Sequence, residues 1–489
     1  MAREPLLPRI NGAACYFLSK EVLLVLHQSA DLAEFCANVQ TKNMSPVVLE
    51  RVRALLLDHL AVSLRGSLLP SSQAVYQMVK NAAGTAGGEI TIFGRNERAE
   101  ASWAALANGT AAHGLGMDDV ECRSSLHPGA VVFPAVLALT EQEQASDDDF
   151  YAAVIAGYEV TLRVGAALLP AAVYERGFHP TAICGALGAA AACARLLHLS
   201  AQQINMALGI AGSMAAGSMA YLQNGAWTKS LHAGWACHAG ITAARLAACH
   251  FTGPAMILEG KHNFLSAHSS QSNAELLQRC PEDDLALMQV SLKPYACCRY
   301  THGLIDCLLD MRNSSALDLE AIRHIHCGVL SAGRSLIADP IAEKRRSASL
   351  VEAQSSLPFC AAIALITGRA DLSVFTEEWL RHPLVRSLMQ RVVCYASPEL
   401  DDYYPYEWRA RASIEMDDGR QLHASRQHAL GDPRNPLTAE QLEARFHQLT
   451  EPVIPEKSER LAFIQKVQQL CGVGQRGYFD LESARVLHT

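Results

Sequence analysis

The sequence predicts a mainly α protein, a large all-helical domain with an inserted α+β lid domain. Three observations carry this prediction. Ala-rich stretches with helical spacing fill roughly the first 280 residues. Alternating and β-branched stretches are confined to about 321–426. A helical pattern then returns at Thr438 with a capping-box start, Thr438 followed by Gln441. The expected partition is 1–285 as the helical domain, 286–434 as the lid and 435–489 as helices returning to the first domain.

Residues 45–66, SPVVLERVRALLLDHLAVSLRG, are the clearest amphipathic helix. Ser45 and Pro46 form an N-cap and N1 pair, and Gly66 suits the stop. Segments 99–113, 134–144, 148–175, 181–198, 201–221 and 231–249 are helical by composition. The character changes near Pro281. Segments 321–332, 390–396 and 408–415 read as strands, and 416–419 (MDDG) followed by RQLHASRQ reads as a hairpin. Helices are expected at 300–313 and 352–368 between them.

Composition bounds the function. The chain has 489 residues, 50% hydrophobic and 18% charged, with a formal charge of −8. Such a chain buries a large core. A pI of about 6.2 argues against a nucleic-acid partner, which needs a clustered basic excess. The uncharged runs 177–194 and 196–228 contain His, Gln, Asn, Gly and Ser, so they read as core helices and not membrane spans. The fifteen cysteines are odd in number, scattered and without C-x-x-C, which suggests reduced thiols packed as small hydrophobes. Glu4, Arg9, Lys20 and Glu21 interrupt the N-terminal apolar stretches. No secretory signal is therefore expected; the expected location is cytoplasmic, with a mitochondrial one left open. No phosphate loop, dinucleotide fingerprint or H-E-x-x-H occurs, so no metal or organic cofactor is expected. The Ala/Gly-rich, charge-poor helices between 150 and 250 suggest a homodimer built on the helical domain.

Four stretches concentrate chemistry. In 113–134, Asp118 and Asp119 precede His127, whose His-Pro pair opens an apolar helix. A helix N-terminus attracts a carboxylate, and the histidine can move a proton. The alternative is that the aspartates cap a helix and His127 is a loop residue. Residues 176–182 repeat the arrangement, with His179-Pro180 before a buried helix. In 224–232, Lys229 lies in a long uncharged stretch and should meet an anion or shift its pKa, with His232 one turn on. In 291–306, Lys293, Arg299 and His302 surround Tyr295 and Tyr300, a plausible carboxylate clamp.

Taken in order, ANG…H-x(4)-D-D…L-H-P-G-A-V-V-x-P-A, G-F-H-P-T…G-A-L-G-A-A-A-A, T-K-S-L-H-A-G and K-P-Y-x-x-C-R-Y-T-H-G-x-I-D resemble the MmgE/PrpD family over about residues 28–450. That family includes 2-methylcitrate and alkylcitrate dehydratases, cis-aconitate decarboxylase and iminodisuccinate epimerase. The resemblance implies a helical domain with a lid, a homodimer, no cofactor and an active site between the domains. It implies catalytic roles for Asp118, His127, His179, Lys229 and Lys293, with Asp119, His232, Tyr295, Arg299 and His302 as substrate-binding residues. Three departures separate the chain from the animal decarboxylases. Gly116 and Val120 stand where those have Asp and Thr, and 329–336 lacks their tyrosine. The K-x-Y-A-C-C stretch is shared with the fungal decarboxylase. The expected activity is a cofactor-independent lyase on a citrate-like polycarboxylate, led by dehydration of a 2-alkylcitrate. Decarboxylation of cis-aconitate to itaconate and epimerisation are the alternatives. An inactive metabolite-binding helical dimer is the reading of another class.

Overall fold

The computed structural model describes residues 28–82, 88–278, 285–314 and 316–470. The composition change at Pro281, the N-terminal 27 residues and residues 471–489 lie outside them, as do Cys15, Cys280 and Cys471. The chain is mainly α. Numbering helices of ten residues or more, they are α1 Gln28–Asn38, α2 Pro46–Gly66, α3 Pro70–Ala82, α4 Ala101–Gly114, α5 Gly129–Glu143, α6 Asp147–Leu168, α7 Pro180–Leu196, α8 Ala201–Met214, α9 Thr228–Ala248, α10 His302–Ser314, α11 Leu357–Thr367, α12 Ala439–Thr450 and α13 Lys457–Gln468.

Helix α7 is central: α5, α6, α8 and α9 all pack on it. Its small side chains allow this. A Cβ on Gly188 would lie 1.7 Å from Thr161 Oγ1, and one on Gly240 would lie 2.4 Å from Ala189 Cβ. The Ala/Gly richness of 150–250 therefore serves packing within the chain. Among the described residues one helix, α6, is long and apolar enough to cross a membrane, and its apolar window is 89% buried inside the protein.

Where the helices differ from expectation, local chemistry gives the reason. The stretch 148–175 breaks at Leu169, which takes φ +55 before Pro170 restarts a short helix, because proline restricts the residue before it. The stretch 201–221 ends at Met214, and a separate 3₁₀ turn, Met219–Gln223, follows. The stretch 352–368 divides into Leu350–Gln354 and α11, with Ser356 capping the second by accepting from Phe359 N–H. At Thr438 the expected capping box is present.

Two short ladders were not legible: β1 Ile90–Thr91 with β2 Arg98–Ala99, and β3 Val120–Glu121 with β4 Val290–Ser291. A four-stranded sheet is built from β5 Ile322–Val329, β6 Val392–Ala396, β7 Ala410–Met416 and β8 Gln421–Arg426, in the order β6-β5-β7-β8. The β5–β6 pair is parallel and the others antiparallel. The hairpin β7–β8 turns at Gly419, whose φ of +85 suits glycine. Helix α10 packs on β7, β8 and α11, while α12 and α13 return to pack on α2.

The close packing of α9 on α7 is testable. Gly240→Ala pushes a methyl into the Ala189 backbone, and overpacking costs about 1–3 kcal/mol. Its thermal midpoint should fall by several degrees; an unchanged midpoint would show that the contact is slack.

Candidate active site

The site begins with the β3–β4 ladder. Its antiparallel register pairs Val120 with Ser291. Continued by two residues, that register sets Asp118 opposite Lys293. Lys293 Nζ donates to Asp118 Oδ1 at 3.3 Å, and both side chains are buried. The other oxygen, Asp118 Oδ2, accepts from His113 Nδ1 at 2.5 Å and lies 3.6 Å from His127 Nδ1. His127 Nδ1 donates to the Asp119 carbonyl at 2.6 Å. A carbonyl only accepts, so the proton sits on Nδ1 and Nε2 carries the lone pair.

His179 is the N-cap residue of α7, and its backbone N–H donates to Gly217 O at 3.0 Å. Its Nδ1 shares a hydrogen bond with His232 Nδ1 at 3.2 Å. The rings of His127 and His113 lie 5.1 Å apart, those of His113 and His179 5.4 Å, and those of His179 and His232 5.4 Å. Tyr221 lies against the last two. A continuous run of four imidazoles thus passes beside one carboxylate. His113 was not singled out from the sequence. The signal was its place in H-x(4)-D at the end of α4, which sets its ring over Asp118.

Burial pushes the Asp118 carboxyl up, but the imidazoles of His127 and His113 and the Lys293 ammonium more than offset it and hold it well below the usual carboxylate range. Such a carboxylate is a poor base. It orients His113 and stabilises positive charge on its neighbours. Burial is also the first cause pushing down His113, His127 and His179, with the lysines and the neighbouring rings adding to it. His232 is brought down to about 4, by burial and then by His113 and Lys229. The free site therefore holds neutral imidazoles.

The two lysines divide their work differently from expectation. Lys293, read from the sequence as a substrate clamp, is already paired with Asp118. Lys229, in the first turn of α9, is only partly buried, and its ammonium meets no hydrogen-bond or ion-pair partner among the described residues. Burial and the field of Lys293 push its pKa down. It is the cation open to an anion.

Asp119 has a different place. Its Oδ1 accepts from Gly129 N–H at 2.9 Å, capping α5, and its Oδ2 accepts from Tyr158 OH at 2.8 Å. Both oxygens are committed inside the protein, so the helix-capping alternative describes this residue. Tyr295, Arg299 and His302 also lie in another network. Tyr295 OH donates to Asp306 Oδ1 at 2.5 Å, Arg299 Nη1 donates to Leu430 O at 3.1 Å and approaches His302 Nδ1 at 3.3 Å. His302 Nε2 donates to Cys297 O at 3.2 Å, and Asp306 Oδ2 accepts from Leu430 N–H at 2.8 Å. The start of α10 turns these side chains towards 429–432, where they tie the sheet-bearing segment together. Among the described residues no group of three or more His, Cys, Asp or Glu is arranged to hold a metal ion.

The chain is similar to known proteins over most of its length. The pattern of the MmgE/PrpD N-terminal domain matches residues 30–277, and that of the MmgE/PrpD C-terminal domain matches 295–470. A cis-aconitate decarboxylase-like protein, oryM, of Aspergillus oryzae is 27% identical over 455 residues, 89% of this chain and 93% of that protein. A cis-aconitate decarboxylase of Aspergillus terreus is 26% identical over 447 residues, 88% and 90% of the two chains. That of Homo sapiens is 27% identical over 413 residues, 82% of each.

The commitment of Asp119 is testable by its titration. Burial raises its carboxyl from 3.8 to about 7, although Tyr158 and Gly129 N–H pull the other way. A group raised on folding contributes stability that is full below its unfolded value and lost as pH rises through its folded value. Asp119→Asn keeps an acceptor for Gly129 and removes the titration. The wild-type melting temperature should fall more steeply than the variant's between about pH 4 and 7 and run parallel to it above. Parallel profiles would contradict the assignment.

Proposed function

The chain belongs to the MmgE/PrpD family, and from that premise we propose that it is a lyase that decarboxylates cis-aconitate to itaconate. The observation that carries this reading is the unbalanced cation of the site: Lys293 is paired with Asp118, the four imidazoles are neutral, and the Lys229 ammonium, with no partner among the described residues, is open to an anion. The family's dehydratase chemistry, foremost in the sequence reading, loses weight because the relatives spanning nearly the whole chain are described as cis-aconitate decarboxylases.

The reaction is an allylic shift. The bond between the leaving carboxylate and its methylene carbon breaks, and its electron pair forms the new terminal C=C. The former C=C pair takes a proton at the carbon bearing a retained carboxylate, and carbon dioxide leaves. Lys229 holds a carboxylate of the trianion. Burial first, and the lysine field after it, keeps the imidazoles neutral; the substrate's negative charge opposes both, so binding raises their pKa and charges one of them. His127 is the proton donor of this scheme. Asp118 and the Asp119 carbonyl stand behind its Nδ1, which leaves Nε2 as the nitrogen that can take up and pass on a proton. His179 and His232 line the opposite end. General acid help of this kind is worth about 10²–10⁴ in rate. Residues about 286–434 act as the lid, no metal or organic cofactor takes part, and a homodimer forms through the outward face of α9, where Trp227 and Trp235 are exposed. Light scattering should return about twice 52.9 kDa, and chelators should leave activity intact.

Product analysis by NMR and mass spectrometry on a panel of cis-aconitate, 2-methylcitrate and iminodisuccinate tests the reading. Carbon dioxide and itaconate should come from cis-aconitate. Loss of water from 2-methylcitrate, or solvent-deuterium exchange alone, would replace decarboxylation by dehydration or epimerisation.

His127→Gln and His179→Ala should each lower kcat at least about tenfold in a folded protein. Lys229→Gln should chiefly raise KM, because its ammonium acts on bound ground state and transition state alike. Lys293→Ala should instead destabilise the fold by about 3–5 kcal/mol, since it leaves the Asp118 charge buried and unpaired. Full activity in both histidine variants would remove these residues from the reacting centre.

A further inference from the structure

The loop that presents Asp118 is anchored through three backbone carbonyls, each taken by a side chain from a different part of the chain. His127 Nδ1 donates to Asp119 O at 2.6 Å. Arg445 Nη2 donates to Met117 O at 2.9 Å, across 328 residues of sequence. Gln354 Nε2 donates to Leu115 O at 2.8 Å, across 239. Between the last two anchors Gly116 takes φ +66, so the chain turns sharply there. The Met117 carbonyl belongs to the peptide bond that leads into Asp118, and its direction sets where the Asp118 side chain leaves the backbone.

We infer that Arg445 and Gln354 are positioning residues that aim Asp118 at the imidazoles. The inference rests on the reading of Asp118 as part of the reacting centre. Arg445 is itself rigidly held. Its Nε donates to Asp58 Oδ1 at 2.6 Å, and both side chains are buried. A planar guanidinium serves Asp58 and Met117 at once, and a lysine ammonium does not reproduce that fork. Gln354 ends the short helix Leu350–Gln354, and its own carbonyl accepts from Cys298 N–H at 2.8 Å. One anchor thus comes from the sheet-bearing segment and the other from the helix that returns at the C-terminus. Asp118 is aimed only when both segments are seated.

A structural role alone predicts lost stability; a positioning role predicts lost turnover in a folded protein. Arg445→Lys keeps a cation for Asp58 and loses the bond to Met117. Gln354→Glu is isosteric, sits at a partly exposed position and turns a donor into an oxygen that repels Leu115 O. Each variant and the pair are assayed on cis-aconitate, alongside thermal melts and the downfield N–H proton resonance of the His113–Asp118 bond. The inference expects near wild-type melting, kcat at least about tenfold lower, KM within about threefold, and an upfield shift of that resonance. Because both anchors act on one loop, the double variant should lose little beyond the worse single variant. A folded Gln354→Glu with wild-type kcat overturns the inference, as does a loss confined to KM. If the unmodified protein leaves cis-aconitate untouched, the functional reading fails. The resonance then decides alone, and an unshifted signal in both variants overturns the inference.

Discussion

The site depends on the buried ion pair between Asp118 and Lys293. A charge taken out of water is costly unless paired and hydrogen-bonded, so the chain must bring these residues, 175 apart in sequence, into one place and keep them there. It does so with a ladder of two residues on each side. The helical core holds one strand of that ladder, and the segment leading to the sheet begins with the other. A buried pair of this kind contributes little net stability. What it supplies is a fixed negative charge inside a field of cations, against which every nearby imidazole must titrate.

That field sets the protonation of the imidazoles on which the proposed function relies. Asp118 favours charge on His113 and His127, yet burial first, with the lysines and the neighbouring rings after it, pushes His113, His127, His179 and His232 down. On the proposed function, a polycarboxylate would reverse the balance, and the substrate's arrival would make the proton donor. The fixed donors need little rearrangement, which is the condition for electrostatic catalysis. Lys293 is locked to Asp118, whereas the Lys229 ammonium meets no partner among the described residues; on the proposed function the first shapes the site and the second recognises the ligand.

Much of this was legible in the sequence where the cause is local. Ser45-Pro46 opening α2, the Thr438–Gln441 box and the hairpin at Gly419 depend on residues within a few positions of one another. The His-Pro pairs marked the starts of α5 and α7 because proline favours a first helical turn. The pairing of Lys293 with Asp118 was not legible, because it follows from a ladder too short to leave a period-two pattern. His113 was hidden in an Ala-rich helix that looks uniform by composition. Asp119 looked equivalent to Asp118, yet one residue of backbone turns it to the Gly129 amide and Tyr158. Tyr295, Arg299 and His302 follow Lys293 closely in sequence, and the turn into α10 directs them elsewhere.

On the proposed function, the free protein holds neutral imidazoles beside an anionic Asp118, and a bound polycarboxylate charges one of them. Imidazole nitrogen chemical shifts, recorded near neutral pH with and without saturating citrate, address it directly. The account predicts four neutral rings in the free protein, His127 protonated at Nδ1, and one imidazolium in the complex. An imidazolium already present without ligand, or four neutral rings with citrate bound, would contradict it.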